Sequence, residues 1–138
     1  MDDINLLKVL DATPAEQISP GFKIKWLFNQ RLLYVIGDSS QRADIDLWFK
    51  FMSTVIRDWP NNYTYLAVQD LSSPKFSLTP YAQSRASKTY EVRPTLTGRV
   101  AILMPRNFTG QMLQLFMRTQ RRNHFETRFF TKPGDALA

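Results

Sequence analysis

Apolar and polar residues alternate through residues 22–28, with Phe22, Ile24, Trp26 and Phe28 set against Lys23 and Lys25. That period of two predicts a half-buried β-strand. Asn29-Gln30-Arg31 reads as a short turn, and the nearly continuous apolar run Leu32-Leu33-Tyr34-Val35-Ile36 predicts a more central strand ending at Gly37-Asp38. Together they form a hairpin. The period then changes: Ile45, Trp48, Phe49, Met52, Ile56 and Trp59 recur at spacings of three and four, and Asp46, Lys50, Ser53 and Arg57 take the opposite face. This predicts an amphipathic helix, with a cap from Asp38, Ser39 or Ser40 and a stop at Pro60-Asn61-Asn62.

Residues 63–68 are rich in β-formers and predict a strand ending at Gln69-Asp70. After Ser72-Ser73-Pro74, Thr79-Pro80 places a cap before a proline at the first helical position, and the helix should run to about Tyr90. Arg93-Pro94 breaks the chain again, and Gly98 precedes a core strand over residues 99–104. A third helix is expected from Thr109, with Met112, Leu115 and Phe116 inward, then a strand over residues 125–130. Asp135 can cap a final short helix. Residues 1–20 hold acids, Thr13-Pro14 and Ser19-Pro20-Gly21, and read as a mobile or loosely docked leader. Ile4, Leu6, Leu7, Val9 and Leu10 could still dock within it as a short helix.

A hairpin followed by alternating helices and strands predicts an α/β fold. The expectation is one domain over residues 21–138, with a mixed, mostly parallel sheet of about five strands and three to four helices packed by right-handed crossovers. The 138-residue length suits a single domain that folds without staples.

Composition removes several chemistries. The absence of cysteine excludes disulfides, thiolate nucleophiles and cysteine metal sites, and a single histidine, His124, excludes a histidine cage. No glycine pattern forms a nucleophile elbow, a dinucleotide loop or a Walker loop. His124 lies beside Arg121 and Arg122 in a predicted turn, where an exposed loop histidine is the simpler reading. No cofactor or metal is expected. Asp2 and Asp3 stand where a signal peptide needs basic residues, and no apolar run approaches the roughly 20 residues of a membrane span, so the cytoplasm is the expected location.

The net charge of +6 is unevenly placed: residues 1–70 hold 7 Lys and Arg against 9 Asp and Glu, and residues 71–138 hold 11 against 3. Such asymmetry raises the prospect of an acidic partner. Arg118, Arg121, Arg122 and Arg128, near Phe125, Phe129 and Phe130, could line a nucleic-acid backbone. The first three also fall at a predicted helix C-terminus, where cations offset the dipole, and no recognised nucleic-acid motif accompanies them. A solvated basic face is the simpler account.

Asp44 and Asp46 stand two apart on a helix, turned about 200° from each other, and cannot share a proton or a metal. Asp38 and Asp70 differ: both follow strand C-terminal ends, where open α/β sheets bind ligands, with Ser39, Ser40, Ser72 and Ser73 alongside. The competing reading is that Asp and Ser are ordinary caps and turn residues.

Several ordered features resemble the STAS-like superfamily, more narrowly its SpoIIAA-like, anti-anti-sigma-factor-related members. They are Leu33-Tyr34-Val35-Ile36-Gly37, the amphipathic helix after it, Tyr65-Leu66-Ala67-Val68-Gln69-Asp70-Leu71-Ser72, Arg93-Pro94, Arg99-Val100-Ala101-Ile102-Leu103, and Phe130 with Asp135-Ala136-Leu137. The resemblance covers residues 22–137. In those antagonists an Asp-Leu-Ser at the strand end is followed by an Asp-Ser-Ser-Gly whose serine is phosphorylated. Here Asp70-Leu71-Ser72 matches, but Leu78-Thr79-Pro80-Tyr81 stands at the acceptor position, and Thr79 alone keeps a hydroxyl.

The resemblance implies a non-enzymatic regulatory or interaction domain with a degenerate phosphoacceptor. Its expected working surface comprises residues 38–40, residues 70–73 and the helix start at Thr79, so Asp38, Ser39, Asp70, Ser72, Ser73 and Thr79 are the candidate binding residues. Positive helix ends there would favour an anionic or phosphoryl ligand. A protein partner is the first expectation, and a homodimer is left open. The second is a small apolar or lipid ligand, since the SpoIIAA-like proteins are also likened to a lipid-transfer fold and Trp26, Phe28, Trp48, Phe49, Phe51 and Trp59 exceed what a small core needs. Nucleic acid is the third.

Overall fold

The computed structural model describes residues 3–77, 79–89, 91–104 and 125–130. Its elements are α1 (Asp3–Ala12), β1 (Glu16–Ser19), β2 (Phe22–Leu27), β3 (Leu32–Gly37), α2 (Arg42–Asp58), β4 (Tyr65–Asp70), α3 (Pro80–Thr89), β5 (Gly98–Leu103) and β6 (Phe125–Phe130). All six strands form one sheet in the order β1-β2-β3-β4-β5-β6. β1 pairs with β2 and β2 with β3 antiparallel, and β3 through β6 run parallel. The fold is therefore α/β with a single mixed sheet.

The sheet has six strands where about five were expected. The addition is β1, which pairs with β2 at the edge through residues 16–19, inside the predicted leader. A four-residue strand offers too few positions for period-two alternation to register. Leu10 of α1 is buried against Leu27 and Tyr34, and Lys25 Nζ donates to the Leu10 carbonyl at 2.8 Å. The helix and the strand are thus both docked on the sheet.

The hairpin turn begins one residue earlier than the alternation suggests. Phe28, Asn29 and Gln30 all have positive φ, at 54°, 57° and 64°. This left-handed run takes Phe28 off the Phe22–Ile24–Trp26 face and packs it with Leu27 and Leu32 on the opposite side.

Each face of the sheet has its own core. On one, Leu33, Val35, Ala67, Val100 and Ile102 meet Met52 and Ile56 of α2. Trp59 closes this core, stacked on Trp26 at 6.0 Å and edge-on to Tyr65 at 5.0 Å. On the other face, Tyr34, Val68 and Leu103 gather with Leu10 and Leu27.

The predicted cap residues sit just outside α2. Its N-cap is Gln41, whose side chain makes no capping bond, and Ser39 Oγ accepts the Gln41 N–H at 3.1 Å. At the other end Arg93 Nη1 donates to the carbonyls of Trp59 (2.5 Å) and Ile56 (3.3 Å), and Nη2 donates to Asn61 Oδ1. The strand expected over residues 63–68 begins at Tyr65, because Tyr63 N–H closes a turn onto the Pro60 carbonyl at 3.2 Å. The helices expected from Thr109 and Asp135, along with Arg118, Arg121, Arg122 and His124, lie outside the described residues. Among the described residues, no helix is long and apolar enough to cross a membrane.

Candidate functional site

The parallel register sets Ile36 beside Asp70, so the C-terminal ends of β3 and β4 are neighbours. Asp38 and Asp70 consequently emerge at the same end of the sheet, where residues 71–77 follow β4. Two carboxylates hold this segment. Ser73 Oγ donates to Asp38 Oδ1 at 2.5 Å, and Lys75 Nζ lies 3.9 Å from Asp38 Oδ2. Asp70 Oδ1 accepts both the Ser72 N–H (3.1 Å) and the Ser72 hydroxyl (2.5 Å), while Tyr34 donates to Oδ2 at 2.8 Å. Burial, reinforced by the negative charge of Asp70, pushes the Tyr34 hydroxyl well above the ordinary tyrosine range and keeps it a donor.

The remaining predicted residues divide. Ser40 and Ser77 share a hydrogen bond at 3.1 Å, tying the segment after β3 to that after β4. Ser39 turns away from Asp38 and Asp70 and donates to Asp44 Oδ2 at 2.7 Å. Asp44 and Asp46 face different neighbours, as the helical geometry requires: Asp46 accepts from Tyr81 and pairs with Arg85 of α3 at 3.4 Å. Thr79 caps α3, its Oγ1 accepting the Ala82 N–H at 3.1 Å. That hydroxyl therefore serves the helix.

Arg128 is the one member of the expected basic patch within the described residues. Its Nη2 lies 2.7 Å from Glu126 Oε1, and Arg99 Nε approaches Glu126 Oε2 at 3.5 Å. One carboxylate therefore offsets two exposed guanidiniums on this face. Such exposed pairs contribute little stability, but they lower the local positive charge. Among the described residues, no three His, Cys, Asp or Glu side chains gather where they could hold one metal ion.

The expected apolar ligand would need a pocket of several hundred cubic ångströms between the helices and the sheet. Between the sheet and α2–α3 lies a cavity of about 60 Å³, lined by apolar residues including Trp48, Met52, Ile56 and Ile102, together with Gln69. Gln69 is buried on β4 at an inward position in step with Tyr65 and Ala67. A polar residue on the inward period of an otherwise apolar strand was the available signal. Comparison with protein-family models, with curated proteins and with solved structures finds no match for this chain.

Proposed function

We propose that the chain is a STAS-like, SpoIIAA-like interaction domain without catalysis of its own, and that it presents residues 71–77 and the start of α3 to a protein partner. The observation that carries this reading is the double clamp: Asp38 holds Ser73 and Asp70 holds Ser72, on adjacent strand ends. A segment tied at both points loses less entropy on binding than a free loop, so it suits recognition. Ser72, Pro74, Lys75 and Ser77 are exposed along it. A hairpin leading into successive parallel strands supports the family reading. Because the Thr79 hydroxyl is engaged in capping, recognition here does not depend on phosphorylation of that residue.

The other readings draw less support. About 60 Å³ holds roughly four to six water-sized positions, which is short of an acyl chain. The described part of the basic patch is offset by Glu126.

The test places a photo-crosslinking residue at Lys75 in the full chain and measures the affinity of the captured protein. Asp38→Ala combined with Asp70→Ala should weaken that complex about tenfold while leaving the circular dichroism spectrum native. A partner bound equally well by the double variant, or one captured only from the opposite end of the sheet, would overturn the proposal.

A further inference from the structure

We propose that the cavity between the sheet and α2–α3 binds a small uncharged molecule, about the size of one six-membered ring, whose single hydrogen-bond acceptor meets the Gln69 amide. Leu71 and Phe76 of the clamped segment also line this cavity, but the contact proposed at Gln69 involves neither Ser72 nor Ser73 and does not depend on the segment's role.

Gln69 is 8 % exposed and sits in the middle of the parallel strands, with Val35 and Ile102 as its neighbours across the sheet. Trp48 Nε1 lies 3.2 Å from its Oε1. An indole N–H can only donate, so this contact fixes which amide atom is oxygen and turns Nε2 the other way. Nε2 then meets the Met52 sulfur at 3.7 Å, a weak acceptor. Anchoring Trp48 explains the oxygen. It leaves the amide N–H groups poorly matched in an apolar core, where such a donor is costly.

The space beside that amide arises from small side chains. Ala82 and Ala86 of α3 face the cavity, and longer residues there would close it. The volume of about 60 Å³ corresponds to roughly four to six water-sized positions. Covalently bonded atoms pack closer than waters, so a single ring fits. Among the described residues, Asp44 is the one charged residue lining the cavity, and its Oδ2 is held by Ser39. With no cation among the described lining residues, a carboxylate or phosphate would enter unpaired. The chemistry selects a neutral, mostly apolar compound with one acceptor oxygen, such as a phenol.

The test follows the three indole N–H signals of the ¹⁵N-labelled full chain by NMR as phenol is added. Phenol should shift the Trp48 signal saturably, with a Kd on the order of 1 mM, while Trp26 and Trp59 stay in place. Toluene, which lacks the acceptor, should bind about tenfold more weakly. Ala86→Leu should abolish the shift with both compounds, and Gln69→Met should erase the preference for phenol while keeping toluene binding. An unmoved Trp48 signal in the native chain overturns the proposal, as does phenol binding that survives Ala86→Leu. If Ala86→Leu fails to fold, the proposal rests on Gln69→Met, and an unchanged preference for phenol in that variant overturns it.

Discussion

The Tyr34 hydroxyl donates a 2.8 Å hydrogen bond to the Asp70 carboxylate, linking β3 to the C-terminal end of β4. Tyr34 is 2 % exposed, and its ring lies in the core on the α1 side of the sheet. The same carboxylate holds Ser72 through its other oxygen, so one acid joins a buried side chain to an exposed segment.

Removing the donor tests that link. Tyr34→Phe keeps the ring and should destabilise the domain by about 1.5–3 kcal/mol, the range for a hydrogen bond to a charged group. Urea denaturation monitored by circular dichroism measures it.

The elevated Tyr34 pKa carries a sign. The unfolded chain releases this proton near the ordinary value of about 10, and the folded chain holds it to higher pH. The folded state therefore binds more protons above that pH, and stability falls as pH rises. Urea midpoints measured from pH 8 to pH 11 should drop at the alkaline end, and Tyr34→Phe should drop less.

The clamp on residues 71–77 should be locally separable from the core. Asp38→Ala should accelerate amide exchange at Ser73 and Lys75 at least about tenfold, while β3 and β4 remain protected. Uniform loss of protection across the sheet would show instead that the clamp supports the whole fold.

The hairpin turn offers a stabilising change. Gln30 sits at φ 64°, which costs an L-residue about 1 kcal/mol or more, whereas glycine adopts it freely. Gln30→Gly should raise the melting temperature by about 3–5 °C, as read by differential scanning calorimetry.

Gly98 offers the opposite. A Cβ built there would lie 2.3 Å from the Tyr65 carbonyl oxygen, a backbone atom that cannot swing aside. Gly98→Ala should destabilise by about 3 kcal/mol through forced separation of β4 and β5, measurable by urea denaturation.

Local pattern carried most of the architecture. Of the predicted stripe, Ile45, Met52, Ile56 and Trp59 are buried as the spacing predicts, and Trp48 and Phe49 are half-buried. Ser53, expected on the opposite face, is buried too. The alternation from Phe22 to Trp26 lies on one face. Thr79-Pro80 starts α3 where a cap and a following proline should. These features depend on residues a few positions apart, and short-range sterics and hydrogen bonding decide them. The edge strand Glu16–Ser19 escaped because its four residues carry no periodic signal, and only the exposed edge of β2 recruits them.

For the candidate site, the sequence by itself placed Asp38 and Asp70 at strand ends and Ser72 and Ser73 nearby. Which serine meets which acid depends on the parallel register of β3 and β4, a relationship between segments more than thirty residues apart. Register likewise put Tyr34 against Asp70, whereas Ser39 reaches Asp44 only five residues along the chain. The cavity beside Gln69 exists only because α3 brings Ala82 and Ala86 over the sheet. Residue type and period act through the chain's neighbours, and so they determined the elements. Pairing partners and empty space arise from packing between distant elements, and only the tertiary structure decided them.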